Sequence, residues 1–253
     1  MVKIVTVNNV KGGVGKTSTV TNLAAGLARK RKRVLIIDSD PQANATWNMC
    51  DKKSPNTIKD LFQGAPIQEV IYPSVEPGVD IIPSCLAFSS IELEISSMLA
   101  REAILKNELE PVKDKYDVIL IDTQPSVGVI PINALCAADE VIIPVHNALA
   151  VEALGQMVSV LLQIKKLKLN PNLIIGGVLL TMYDPRTNLA KTVKDITLKK
   201  FGTVVFDTTI PVNVKLAECP PEKKSIFEHA PESSGARAYE ALTKELLARW
   251  EMI

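Results

Sequence analysis

Residues 3–23 read KIVTVNNVKGGVGKTSTVTNL, and the fold turns on how this stretch divides. KIVTVNNV is apolar and β-branched before its polar end, whereas KTSTVTNLAAGLA, from Lys16 onward, has a helical pattern. A strand, a glycine-rich turn and a helix in that order are what a phosphate-binding loop requires. Gly12, Gly13 and Gly15 permit conformations and close approaches that a Cβ would block, so successive N–H groups, including that of Val14, and the helix N-terminus face an anion. Lys16 can reach the β and γ oxygens of a nucleotide, and the Thr17 hydroxyl, beside Ser18, can ligate Mg²⁺. One position departs from the common loop: the glycine expected before this set is Val10, and an additional lysine, Lys11, stands next to it.

Similar apolar, β-branched runs recur along the chain: RVLIID (33–38), VDIIP (79–83), DVILID (117–122), EVIIPV (140–145), LIIGGVLLT (173–181) and TVVFDTTIP (203–211). They are apolar throughout rather than alternating, as strands buried on both faces should be. Between them, 16–31, 87–106, 151–167, 187–201 and 233–250 read as helices; in the third, Leu154, Val158 and Leu161 recur at helical spacing. Strands and helices taking turns predict an α/β fold of the P-loop NTPase type, a mostly parallel twisted sheet with helices on both faces. No repeat or long linker interrupts the 253 residues, so the expectation is one domain over 1–253 with no N-terminal helix-turn-helix extension.

Composition excludes several classes. No run of about 18 apolar residues is present and MVKIVTVNNV is not a signal sequence, so a soluble, cytoplasmic protein with no membrane partner is expected. Cys50, Cys85, Cys136 and Cys219 lie far apart without a metal-binding spacing, which reads as reduced thiols. Net charge is +1, yet Lys165–Lys200 holds eight Lys/Arg against two Asp, a local +6 that leaves −5 for the rest. A basic region exists without a basic protein. The run RKRKR (29–33) invites a nucleic-acid reading, yet it follows a helix C-terminus, where cations complement the macrodipole, and that is the plainer explanation.

Two carboxylate-bearing strands complete the candidate site. DVILID ends at Asp122, at the crevice where such sheets bind ligands, with a helix-cap or turn role as the plain alternative. RVLIID leads into DSDPQANAT (38–46), which brings Asp38 and Asp40 to a neighbouring strand end. Phosphoryl transfer to water needs an oriented water and neutralised charge. Asp40 is the candidate to orient the water and Asp38 to support the metal shell with Thr17 and Asp122; either aspartate could equally be a turn former before Pro41.

KGGVGKT with its additional lysine, DSDPQANAT, IDTQPS, NALCAADEVIIPV, TMYDPRTNLAKTV, IPVNVKLAE and SSGARAYEAL together resemble the ParA/Soj branch of the deviant Walker A ATPases, relatives of MinD, over nearly the whole chain. The resemblance implies ATP and Mg²⁺ as cofactors and hydrolysis that is weak until a partner stimulates it. It implies that Lys11 is the signature lysine that crosses an ATP-sandwich homodimer to the other subunit's phosphates; a solvated loop lysine is the alternative. Pro211 and Asn213 would cradle the adenine, with Met182 nearby. It also implies nonspecific DNA binding, nucleoid association and a ParB-like activator in plasmid or chromosome segregation. Arg186, Lys191, Lys194, Lys199, Lys200, Lys215, Lys223, Lys224 and Arg237 are the candidate DNA contacts, although a solvated helix face explains any one of them.

Three positions depart from that family's pattern. Val212 replaces an arginine implicated in DNA binding, Gln124 replaces a proline, and CPPEKK (219–224) replaces a glycine-containing segment. A MinD-like membrane ATPase would need a cationic amphipathic C-terminal helix; the stripe Leu242, Leu246, Leu247 and Trp250 reads instead as core. An iron-protein reductase would need a second ligand beside Cys136. The rival from another class is a nucleotide-switched binding protein whose hydrolysis only resets it, and a second alternative keeps the ATPase with a protein assembly as its cargo.

Overall fold

The computed structural model describes residues 2–51 and 54–252. Seven strands, β1 (Lys3–Val7), β2 (Val34–Ser39), β3 (Tyr72–Pro73), β4 (Val79–Ile82), β5 (Val118–Thr123), β6 (Glu140–Val145) and β7 (Ile174–Leu180), form one sheet in the order β3-β4-β2-β5-β1-β6-β7. All neighbours pair in parallel except β3 with β4. The helices in chain order are α1 (Lys16–Arg29), α2 (Asn44–Met49), α3 (Ile58–Phe62), α4 (Ile91–Glu94), α5 (Ile104–Leu109) and α6 (Val129–Ala137). They continue with α7 (Ala148–Lys166), α8 (Asn188–Phe201), α9 (Val214–Glu222), α10 (Ile226–His229) and α11 (Ser234–Arg249).

The parity of the strand residues explains their unbroken apolar character. In β2, Val34 and Ile36 pack toward α1 and α11, whereas Leu35 and Ile37 pack toward α3, α5 and α6. In β5, Val118 and Leu120 take the first side and Ile119 and Ile121 the second. A third cluster joins Val141, Ile143 and Val145 of β6 to Leu154, Met157 and Leu161 of α7. The C-terminal stripe belongs to the core: Leu242 and Leu246 are fully buried in the cluster that also holds Leu23 and Leu27 of α1. Among the described residues, no helix is long and apolar enough to cross a membrane.

Two expected elements differ. Residues 203–211 do not form a regular strand; their backbone bridges to β7 and its continuation are isolated ones, Val178 with Val205 and Tyr183 with Pro211. The Phe206 and Ile210 N–H groups donate to the Val178 and Leu180 carbonyls of β7 at 3.0 and 2.8 Å, but between them the Asp207 and Thr208 N–H groups turn to the Glu245 carboxylate of α11, each at 3.0 Å. Nor do residues 87–106 form one helix. They break into α4, α5 and 3₁₀ turns at Leu86–Ser90 and Arg101–Ala103. Ser89, Ser90 and Ser96 donate to the carbonyls of Leu86, Ala87 and Leu93 at 2.8, 2.9 and 2.7 Å, local bonds that compete with helix propagation. Leu93 and Leu99 remain 80% and 96% exposed, so little burial favours a continuous helix there.

Gly177 in β7 lies against the Phe206 ring, which is itself capped by the Arg249 guanidinium 4.2 Å from its centroid. An added Cβ would collide with the Phe206 ring. Gly177→Ala is therefore expected to lower unfolding free energy by about 1–3 kcal/mol, read as an earlier denaturant midpoint.

Candidate functional site

The site gathers at the C-terminal ends of three adjacent strands. Parallel register pairs Asp38 of β2 with Asp122 of β5, and Asp122 with Val7 of β1, so the loop after β1 opens directly over both aspartates. Open parallel sheets bind ligands at this end, where strand order switches direction. Here the chain enters the sheet at β1 with β5 on one side and β6 on the other.

The glycine loop has the geometry its composition requires. Gly13 and Gly15 adopt φ of 73° and 86°, left-handed conformations that a side chain would strain, and Gly15 immediately precedes α1. Asn9 braces the entrance: its Nδ2 donates to the Pro144 carbonyl at 2.7 Å, and its Oδ1 accepts from the Lys11 N–H at 2.9 Å. Thr181, just beyond β7, donates to the Val14 carbonyl at 2.8 Å and holds the far side. Sequence reasoning singles out neither bracing residue. The polar Asn8–Asn9 pair ending an apolar strand is the available signal for the first; Thr181 offers none until β7 is placed.

Inside the loop, Lys16 is buried and its Nζ donates to the Lys11 carbonyl at 3.3 Å. Burial pulls its pKa below the usual lysine range, opposed by the nearby Asp122 and Asp40 charges. Thr17 donates its hydroxyl to Asp122 Oδ2 at 2.7 Å. Asp122 Oδ1 has no partner although the residue is fully buried. Burial, reinforced by the charge of Asp38, pushes the Asp122 carboxyl well above its ordinary pKa despite the Thr17 hydrogen bond. An unpartnered buried carboxylate oxygen beside a threonine hydroxyl and a left-handed glycine cradle fits Mg²⁺ with a nucleotide phosphate chain.

Asp38 is differently placed. Its Oδ2 accepts from the N–H and the hydroxyl of Thr46, both at 2.7 Å, and its Oδ1 accepts from the Asp40 N–H at 3.1 Å. Burial raises its pKa to about 6 against those hydrogen bonds. Asp40 is nearly buried, and its Oδ1 accepts the Gln42 N–H at 2.8 Å. Lys11 is exposed at the mouth of the loop.

The remaining candidates separate into two groups. Met182, with φ of 47°, follows Thr181, and the bridge between Tyr183 and Pro211 brings Pro211 alongside it. Asn213 caps α9, accepting the Lys215 N–H at 2.8 Å and donating to Ser234 Oγ at 2.8 Å. Of the basic residues, Lys191, Lys199 and Lys200 stand exposed on α8, whose buried side is Val193 and Thr197. Lys194 lies over the Tyr183 ring at 5.8 Å. Others are engaged locally: Arg186 with Asp184 at 2.8 Å, Lys215 with Glu218 at 2.8 Å, Lys224 with Glu222 at 3.5 Å, Lys223 with the Cys50 carbonyl and Arg237 with the Glu232 carbonyl. Val212 is 62% exposed. The Cys136 thiol is buried and pushed up to about 11, and among the described residues no His, Cys, Asp and Glu cluster could hold a metal by itself.

A glycine cradle, a buried loop lysine and a threonine–aspartate pair at the ends of a parallel sheet define a P-loop nucleotide hydrolase. A family profile described as an AAA domain matches residues 2–175. The sporulation initiation inhibitor protein Soj of Bacillus subtilis is 42% identical over 98% of this chain and 99% of its own. The chromosome-partitioning ATPase Soj of Thermus thermophilus is 41% identical over 98% and 96%. Among solved structures, cobyrinic acid a,c-diamide synthase of Mycobacterium smegmatis, with bound ATP analog and magnesium, superposes with a TM-score of 0.87 at 29% identity over 99% and 96%. The chain belongs to the ParA/Soj family of partition ATPases.

The buried carboxyls predict a pH effect. Both Asp38 and Asp122 have folded pKa values above the unfolded value of 3.8, so the native state binds more protons and their cost grows as pH rises toward and through the folded pKa. Asp122→Asn removes one such cost. Without nucleotide, its melting temperature should exceed that of wild type by a margin that widens as pH rises above the ordinary carboxylate range, read by calorimetric scans.

Proposed function

We propose that this chain is an ATP-driven partition switch: it dimerises around Mg²⁺·ATP, binds DNA without sequence preference, and hydrolyses slowly until a ParB-like partner bound at a centromere-like site stimulates it. The observation that carries the reading is the contrast between two lysines of one loop. Lys16 is buried and turned onto the loop itself, whereas Lys11 is exposed and forms no ion pair among the described residues. A cation displayed there can serve a second subunit's phosphates, so positive charge reaches the transferring phosphoryl group only when two subunits meet. Nucleotide state and association then become linked equilibria.

Within a subunit, the loop N–H groups and Lys16 bind the phosphate chain, Thr17 and Asp122 hold Mg²⁺, and Asp40 orients the attacking water. Mg²⁺ supplies charge neutralisation at the phosphate oxygens when bound. Met182, Pro211 and Asn213 flank the adenine, their neighbouring placement supporting that assignment. The exposed α8 lysines, Lys191, Lys199 and Lys200, are the strongest DNA candidates because, among the described residues, no carboxylate pairs with them. Arg186, Lys215 and Lys224 would have to exchange a carboxylate for a phosphate, which lowers their net contribution.

Light scattering in saturating ATP tests the division of roles. Wild type and Asp40→Ala are expected to be dimers, the latter with turnover lowered at least about 100-fold, while Lys11→Ala stays monomeric and Lys16→Ala loses productive nucleotide binding. A monomeric Asp40→Ala, or a dimeric Lys11→Ala, contradicts the assignment. With Asp40→Ala trapped in ATP, affinity for random-sequence duplex should exceed that in ADP and fall linearly on logarithmic axes as salt rises, with a slope reduced by about one for each α8 lysine replaced by alanine. Salt-insensitive or nucleotide-independent binding would count against a DNA-riding switch.

A further inference from the structure

One carboxylate secures both ends of the segment that carries Asp40. Asp38 Oδ1 accepts from the Asp40 N–H at 3.1 Å, while Oδ2 takes the N–H and hydroxyl of Thr46, each at 2.7 Å. The Thr46 hydroxyl in turn accepts the Ser84 N–H at 2.7 Å. Ser84 lies just beyond β4, the neighbour of β2 in the sheet. A hydroxyl donates one proton and accepts through its lone pairs. At Thr46 the proton goes to Asp38 and a lone pair to Ser84, so the side chain joins the ends of two strands. Valine has the same shape and can do neither.

The segment needs such a tether. Within it, Asp40 accepts the Ala43 N–H at its carbonyl and the Gln42 N–H at Oδ1, both at 2.8 Å. Ala43 then adopts φ of 55°, a left-handed conformation that is costly without glycine and persists only where its surroundings hold it. The Ala43 carbonyl accepts the Trp47 N–H at 2.9 Å as α2 begins. Asp40, in the tight turn, and Thr46, at the closing end, are therefore two points of one closed structure.

We propose that Thr46 is a positioning residue for hydrolysis: its hydroxyl, bridging Asp38 and the Ser84 N–H, holds the 39–46 loop so that Asp40 faces the phosphate site. Asp38 is the anchor of that loop, with both oxygens committed to it. The inference rests on the reading of Asp40 as the residue that orients water. Thr46 acts through Asp38 and Asp40 and touches none of the reacting atoms.

The test uses Thr46→Val, Thr46→Ala and Thr46→Ser in the full chain with Trp250→Phe, which leaves Trp47 as the only tryptophan. Without nucleotide, Thr46→Val should speed amide hydrogen exchange at Asp40 and Ser84 by about tenfold or more and lower Trp47 fluorescence anisotropy. Thr46→Ser should stay within about twofold of wild type on exchange. Turnover of Thr46→Val should fall about 10- to 100-fold with KM for ATP within about threefold, and serine should restore it. Circular dichroism establishes that the valine variant is folded; Thr46→Ala replaces it if it is not. Unchanged exchange and anisotropy in the hydroxyl-free variant, unchanged turnover, or failure of serine to rescue each overturns the proposal. Full turnover in Asp40→Ala would overturn the hydrolytic role of Asp40 and with it the positioning role, and the exchange data would still report the tether, so the two failures are distinguishable.

Discussion

The hydrogen bond from Thr17 to Asp122 is the constraint on which the rest of the structure depends. It joins the first turn of α1 to the end of a central strand and thereby sets the phosphate loop over the sheet. It also leaves Asp122 with one oxygen satisfied and one bare, fully buried beside Asp38 and within electrostatic reach of Lys16. In the nucleotide-free protein this is a costly arrangement, because buried charge is stable only when paired and hydrogen-bonded. Mg²⁺ and a phosphate chain would complete it, so the features that destabilise the free protein are those that favour binding. The fold supplies the rigidity needed to keep these groups together: parallel register holds Asp38, Asp122 and the end of β1 in one row, and the surrounding strands are buried on both faces.

From that centre, short polar connections run outward along the chain. Asn22, one helical turn beyond Ser18, donates to the Ser18 carbonyl at 2.9 Å and accepts the Ile226 N–H at 2.8 Å, tying α1 to the start of α10. Lys223, at the end of α9, donates to the Cys50 carbonyl just after α2. These bonds tie α1 to α10 and the end of α9 to the residue after α2.

The glycine loop is legible in the sequence because its chemistry leaves few substitutes: KGGVGKT demands left-handed glycines, and Gly13 and Gly15 have them. The parallel sheet is legible because strands buried on both faces must be apolar throughout. Residues 203–211 mislead for the same reason in reverse. Their apolar side chains are buried at Val205, Phe206 and Ile210, but the Glu245 carboxylate, distant in sequence, captures the Asp207 and Thr208 N–H groups and interrupts the pairing that Phe206 and Ile210 make with β7. The helix expected at 87–106 fails where serine side chains satisfy backbone carbonyls locally. Asp38 cannot be separated from Asp40 by spacing alone, since the distinction lies in Thr46 and Ser84, which only the folded chain brings to it. The bracing roles of Asn9 and Thr181 likewise depend on contacts between β1, β6 and the residue after β7.

The most direct test of the account is proton release on loading the site, measured by titration calorimetry with preformed Mg²⁺·ATP in buffers of different ionisation enthalpy near pH 6. Burial and the neighbouring Asp38 charge raise the Asp122 pKa above the ordinary carboxylate value, and Mg²⁺ with nucleotide should favour its ionised form. Comparison with Asp122→Asn, which has no proton to lose at that position, reads the contribution of Asp122 together with the change its charge makes at neighbouring Asp38. A larger proton release per bound nucleotide by wild type than by Asp122→Asn is the result the account predicts. Equal proton counts in the two proteins, or net uptake by wild type, would contradict the claim that the buried Asp122 carboxyl is what nucleotide and metal binding relieve.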